Sequence, residues 1–169
     1  GEEVIIPTPA FTLYETIVTI AGAKPVFLDT KKDNFQLTKE ALSAAITPKT
    51  KAIVLNSPNN PAGTVYTAET LHKLAALLAR KGAEFGKTIY IIADEPYREL
   101  VYGGVEAPFL PLIYADTVVC YSYSKSLSLP GERIGYVYVP KTCTDSKELY
   151  AAVAGAARAA GHVCAPSLW

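Results

Sequence analysis

Ala52-Ile53-Val54-Leu55-Asn56-Ser57-Pro58-Asn59-Asn60-Pro61-Ala62-Gly63 is the stretch that decides the fold. Its first four residues form a continuous apolar run without polar alternation, as expected of a strand buried on both faces of a parallel sheet. Asn56 to Gly63 is dense in turn formers and reads as an irregular loop at that strand's carboxyl end. Thr67 then caps a long amphipathic helix with Leu71, Leu74, Leu77 and Leu78 on one face, and Gly82 to Gly86 ends it.

The same pattern repeats outward in both directions. Thr88 to Ala93 is a second buried-type strand and stops at Asp94-Glu95-Pro96-Tyr97; Thr117 to Cys120 is a third and runs into Tyr121-Ser122-Tyr123-Ser124-Lys125. Upstream, Val4-Ile5-Ile6-Pro7 and Lys24 to Leu28 read as strands. The helix from Phe11 to Ala21 carries apolar residues at Phe11, Tyr14, Ile17, Val18 and Ala21, and a shorter one begins at Thr38 with Leu42 and Ile46 inward. Downstream, Ile134 to Val139 is a further strand. Ser146 to Ala160 is a helix expected to pack through Leu149, Ala152, Val153 and Ala156. Strands alternating with helices give an α/β fold: a mainly parallel, doubly wound sheet in a three-layer α/β/α sandwich. Ligands of such sheets sit outside the carboxyl ends of the strands. Asn60, Asp94 and Lys125 come after three successive strands, so all three are expected at one crevice.

Composition narrows the function classes. The chain has 169 residues, half of them hydrophobic, enough for one sizeable core. Lysine plus arginine equals aspartate plus glutamate at 16 each, so no electrostatic attraction to nucleic acid or an anionic membrane is expected. No apolar stretch reaches transmembrane length, and no signal peptide is expected. Cys120, Cys143 and Cys164 are far apart and odd in number, so they read as apolar fillers of a reduced protein, not a disulfide framework. There is no metal-ligand spacing, and no phosphate-cradling glycine motif comes after a strand.

Each crevice residue has a chemical reading beside a plain one. A lysine withdrawn from water loses basicity and can attack a carbonyl as a neutral amine. Ser122, Ser124 and Arg133 around Lys125 could hold a phosphate, so the group points to an aldehyde carrying one; the alternative is a polar loop with an ordinary exposed lysine. Asp94 could keep a ring nitrogen protonated, or plainly cap a helix or take a hydrogen bond at the sheet's end. Tyr97 and Asn60 could both donate to a phenolate oxygen; otherwise they are a half-buried tyrosine and a turn residue. Phe11 could lie flat on a ring, or simply pack in its helix.

Asn59-Asn60-Pro61-Ala62-Gly63, Asp94-Glu95-Pro96-Tyr97 and Ser122-Tyr123-Ser124-Lys125, with Arg133 eight residues on, resemble the pyridoxal-phosphate aminotransferases of classes I and II (fold type I). Within them the aspartate-type or broad amino-acid branch looks nearest. The resemblance implies pyridoxal 5'-phosphate as cofactor, joined to Lys125 as a Schiff base, with Lys125 also moving the substrate proton. It implies Asp94 at the pyridine nitrogen, Tyr97 and Asn60 at the phenolate oxygen, and Ser122, Arg133 and Ser124 at the phosphate. Phe11 falls where the family stacks an aromatic on the ring, and Pro96 where a small residue covers the other ring face. The implied reaction is ping-pong transfer of an amino group between an amino acid and a 2-oxo acid. Three alternatives share the residues: a C–S β-lyase, a decarboxylase, and an aminotransferase-like sensor domain of a transcription regulator.

The chain holds no methionine and opens directly into a strand at Gly1-Glu2-Glu3-Val4. We therefore expect residues 1–169 to be the cofactor-binding large domain of a longer protein, without its N-terminal segment and C-terminal small domain. The missing parts are expected to complete the phosphate and substrate-carboxylate contacts, leaving the fragment alone nearly inactive. The whole protein is expected to be a cytoplasmic homodimer that binds neither nucleic acid nor membrane.

Overall fold

A computed structural model describes residues 1–162. Six strands form one sheet in the order β2-β1-β3-β4-β5-β6. They are β1 (Glu3–Thr8), β2 (Lys24–Asp29), β3 (Thr50–Asn56), β4 (Tyr90–Asp94), β5 (Thr117–Ser122) and β6 (Gly135–Tyr138). All neighbouring pairs are parallel except β5 with β6, which are antiparallel. The chain starts in β1, steps out to β2, and returns past β1 to β3. The order therefore reverses between β1 and β3, where open α/β sheets place their crevice.

Period-two alternation separates two apolar layers. Ile5, Ile53, Leu55, Ile91 and Val119 face one side and pack on Leu42, Ile46, Leu71, Leu74 and Leu78. Those partners come from α2 (Lys39–Ala45), the residue capping it, and α3 (Ala68–Phe85). Val4, Ile6, Ala52 and Val54 face the other side, against Val18 of α1 (Leu13–Ile20) and Leu149 of α5 (Ser146–Ala159). These are the three layers expected. Thr67 Oγ1 accepts the Thr70 N–H at 3.1 Å and Thr38 Oγ1 accepts that of Ala41 at 3.3 Å, so α2 and α3 both begin on a hydroxyl cap.

Three helices differ from expectation, in their ends or in their burial. Helix α3 runs through Gly82 to Phe85 and stops at Gly86, whose φ of 65° only glycine adopts without strain. Gly82 is a close approach, not a stop: a Cβ there would lie 2.8 Å from the Lys87 carbonyl oxygen. Helix α1 starts at Leu13, leaving Phe11 outside it; Val18 is buried, whereas Ile17 and Ala21 are exposed. Helix α5 buries none of its residues: Leu149 and Val153 are partly covered, but Ala152 and Ala156 are exposed. Cys143 is buried and Cys120 half-buried, with burial pushing the Cys120 thiol up to about 11; both are free thiols, and Cys164 lies outside the described residues. No described helix is long and apolar enough to cross a membrane.

Candidate functional site

The carboxyl ends of β1, β3, β4 and β5 open on one cleft of about 380 Å³. Every residue singled out from the sequence lines it: Phe11, Asn60, Asp94, Pro96, Tyr97, Ser122, Ser124, Lys125 and Arg133. Tyr14, Asn56 and Pro130 line it too. A larger concavity of about 530 Å³ lies on the far side of Asn60 and Tyr97. Its walls are mainly apolar, with Leu100, Val101, Tyr102 and Val105, and no charged group lines it. The chemistry therefore belongs to the smaller cleft.

Asp94 ends β4 and caps no helix. Its carboxylate accepts a hydrogen bond from the Tyr14 hydroxyl. Burial pushes the Asp94 carboxyl above the usual carboxylate range, and the Tyr14 hydrogen bond opposes that shift. Burial and then the neighbouring Asp94 charge push the Tyr14 phenol far above its ordinary value, so Tyr14 stays a donor. In the sequence Tyr14 is legible only as one apolar position of a helix. The available signal is a tyrosine at that point of the stripe, able to reach polar groups at a strand end.

Tyr97 reaches the cleft through the turn that follows β4. The buried Glu95 carboxylate pairs with Arg98 at 2.8 Å, and Arg98 also donates to the Ala107 carbonyl at 2.9 Å. Leu100 N–H closes on the Tyr97 carbonyl at 2.8 Å, so the turn is held on both sides of Tyr97. Asn60 Nδ2 donates to the Tyr97 hydroxyl at 3.1 Å, so the two expected phenolate donors meet.

The turn chemistry of the loop after β3 falls on its neighbour, Asn59. Asn59 Oδ1 accepts the Ala62 N–H at 2.9 Å, its N–H reaches the Thr64 carbonyl at 2.8 Å, and its carbonyl accepts the Gly63 N–H at 2.9 Å. That frees the Asn60 side chain for the cleft. Asn56, which reads in the sequence only as the first of many turn formers, is buried at 6% exposure, and its side chain ties this loop to β4.

Lys125 sits on α4 (Tyr123–Ser126), one turn of helix directly after β5. Ser122 caps it: its Oγ accepts the Ser124 N–H at 3.2 Å and lies 2.9 Å from Ser124 Oγ. Tyr121 anchors the turn from below, its hydroxyl joining Glu99 Oε2 at 2.8 Å to Ser126 Oγ at 2.7 Å. The Lys125 ammonium stands 5.8 Å from the centroid of the Tyr97 ring. Lys125 is exposed at the mouth of the cleft, not withdrawn from water as expected. Phe11 is exposed as well, edge-on to Tyr14 with ring centroids 5.9 Å apart.

Arg133 comes back into the cleft from the loop after α4. Its backbone has φ of 53°, an uncommon conformation for a side-chain-bearing residue and one that recurs where function fixes the backbone. Its Nη1 donates to the Pro130 carbonyl at 2.8 Å, which steadies the guanidinium. The return is tight because Gly135 permits it: a Cβ there would lie 2.3 Å from the Tyr121 carbonyl oxygen.

Comparison with known proteins gives consistent findings. The family profile described as "Aminotransferase class I and II" matches residues 1–168. An aspartate aminotransferase of Geobacillus stearothermophilus is 43% identical over 146 residues, covering 83% of this chain and 36% of that protein. A crystal structure of an aminotransferase from Eubacterium rectale superposes with a TM-score of 0.94 at 54% identity, covering 99% of this chain and 42% of the other. Aspartate aminotransferase from Thermus thermophilus with maleate gives 0.74 at 35% identity over 88% of this chain and 39% of the other. The chain thus spans well under half the length of these relatives.

Proposed function

The chain belongs to the class I and II aminotransferase family, and we propose that it is the cofactor-binding part of a pyridoxal-phosphate-dependent transaminase. The observation that carries this reading is the convergence of Lys125, Asp94, and the Asn60–Tyr97 pair on one cleft. The donor set fits pyridoxal phosphate: an amine for the aldehyde, a shielded carboxylate for the ring nitrogen, two donors for the ring oxygen, and hydroxyls with a guanidinium for the phosphate. When bound, that group supplies an electron sink that delocalises the charge left on a substrate carbon.

The chain's own residues would do the rest. Asp94, with Tyr14 donating to it, would hold the proton of the ring nitrogen in place. Asn60 and Tyr97 would donate to the ring oxygen. Ser122, Ser124 and Arg133 would bind the phosphate, Arg133 through the N–H groups not directed at Pro130. Phe11 and Pro96 would bound the two ring faces. The Lys125 amine would anchor the group, and would then move a proton between the substrate's Cα and the cofactor's C4′. Amino-acid and 2-oxo-acid substrates, a homodimer and a cytoplasmic location complete the proposal for the full-length protein.

The test is an absorbance spectrum of the full-length protein with pyridoxal phosphate, and then an amino-transfer assay. A long-wavelength band lost in Lys125→Ala, with transfer to 2-oxoglutarate falling by about 10³-fold or more, is expected, a barrier increase of about 4 kcal/mol. Absence of the band in the wild type would overturn the reading. Release of pyruvate and ammonia without an acceptor would replace transamination by β-elimination, and release of carbon dioxide by decarboxylation.

A further inference from the structure

We infer that Asn56 is a positioning residue: it sets the distance between the Asn60–Tyr97 donor pair and Asp94. This rests on the cofactor reading above and goes beyond it to a residue that would not itself touch the cofactor's reacting atoms.

Three observations carry it. Asn56 Oδ1 accepts the Asn60 N–H at 2.7 Å, and Asn56 Nδ2 donates to the Asp94 carbonyl at 2.9 Å, so one side chain spans the β3 loop and the end of β4. Asn56 and Asp94 are register partners in the β3–β4 ladder, so the strut crosses at the last paired position, where the strands' own hydrogen bonding ends. Asn56 is 6% exposed, and water is a poor substitute for either bond there.

The residue type is constrained by this double duty. An amide offers an acceptor and a donor on one short stem. Aspartate lacks the donor, serine cannot span both partners, and leucine offers neither a donor to the Asp94 carbonyl nor an acceptor to the Asn60 N–H. Tyr97 is tied to Asp94 through only two intervening residues, and that turn is held by the Glu95–Arg98 pair. Asn60 has no such covalent tether, being 34 positions away in sequence. Its place opposite Tyr97 is fixed from the Asp94 side by Asn56.

Donors to the ring oxygen favour its negative form and so lower the pH at which the lysine-linked chromophore titrates. That midpoint is a readout separate from turnover. Full-length wild type, Asn60→Ala, Asn56→Ala and the double variant are loaded with pyridoxal phosphate, and the long-wavelength absorbance is titrated against pH. Asn60→Ala is expected to raise the midpoint by about one pH unit, a tenfold change in the proton equilibrium. Asn56→Ala should raise it in the same direction by at least half as much, and the double variant no further than Asn60→Ala alone.

A fall in melting temperature with an unmoved midpoint would overturn the proposal, because Asn56 would then serve only the fold. Fully additive shifts would overturn it as well, because Asn56 would then act independently of Asn60. Asn56→Ser, which keeps a small polar side chain unable to bridge both groups, takes the place of Asn56→Ala if that variant does not fold. Failure of both to fold counts against the proposal. A wild type without any band would bring down the functional reading, and this inference with it; a normal wild-type band with an unshifted Asn56→Ala would bring down this inference alone.

Discussion

The cleft and the β6–α5 edge lie on the same sheet, yet they are built differently. In the cleft, loops from four strands are stitched to one another by side chains: Tyr14 to Asp94, Asn56 to both Asn60 and Asp94, Tyr121 to Glu99 and Ser126. At the edge, all four residues of β6 are exposed and α5 buries nothing, with Tyr150 at 68% exposure. The polar half thus fixes its own geometry within the described residues, whereas the edge takes little of its order from burial.

That contrast can be broken most strongly from beneath the cleft. Leu78 is fully buried in the layer that supports β3 and β4. Leu78→Ala should cost about 2–5 kcal/mol by denaturant unfolding of the full-length protein, the range for leucine truncation in a packed core. A cost near zero would mean that this layer does not hold the cleft.

Next in size is Arg133→Ala, expected to weaken pyridoxal phosphate binding about 10- to 100-fold in a fluorescence titration, as for loss of one charge-assisted anchor. An unchanged affinity would remove Arg133 from the phosphate site despite its left-handed backbone.

Asp94→Asn sharpens the comparison through pH. The folded-state pKa of Asp94 is raised by burial, so its ionisation costs stability: nothing is lost below the ordinary carboxylate value, and the cost grows as pH rises through and above it. Cofactor-free Asp94→Asn should therefore gain on wild type in melting temperature as pH rises from about 4 towards neutrality, while losing cofactor-dependent activity. A gain that shrinks with rising pH would reverse the sign and show Asp94 to be stabilised as the anion.

The smallest effect belongs to the edge. Tyr150→Ala should shift stability by less than about 0.5 kcal/mol, as for other exposed positions. A larger loss would show that α5 is held in the full-length protein by contacts this chain does not contain.

The same contrast explains what can be read from the sequence. Ala52 to Leu55 announces a buried parallel strand because no solvent-facing position interrupts it, and the loops after such strands necessarily share one end of the sheet. Periodicity names a helix but not how much of its apolar stripe is covered, which is why Ile17, Ala152 and Ala156 are expected inside and stand in water. Tyr14 and Asn56 escape for a different reason. Their shared partner, Asp94, ends a strand that the chain brings beside them only in the folded sheet, and no local spacing records that, although Asn60 lies just four residues from Asn56 in the same loop. Gly82 reads as a helix stop on propensity, whereas its role is the close approach of the Lys87 carbonyl.

The position of β1 in the sheet has a consequence for how the molecule assembles in time. It is first in the chain but lies between β2 and β3, and its β3 partners begin at Thr50, 47 residues after Glu3. Closing such non-local pairings is slow compared with forming α3, whose contacts are local. The cofactor cradle, drawn from positions 11 to 133, should therefore be among the last features to appear during refolding. In a stopped-flow experiment, helical circular dichroism should recover ahead of pyridoxal-phosphate capture by the full-length protein; simultaneous recovery at saturating cofactor would show that the cradle forms with the first helices.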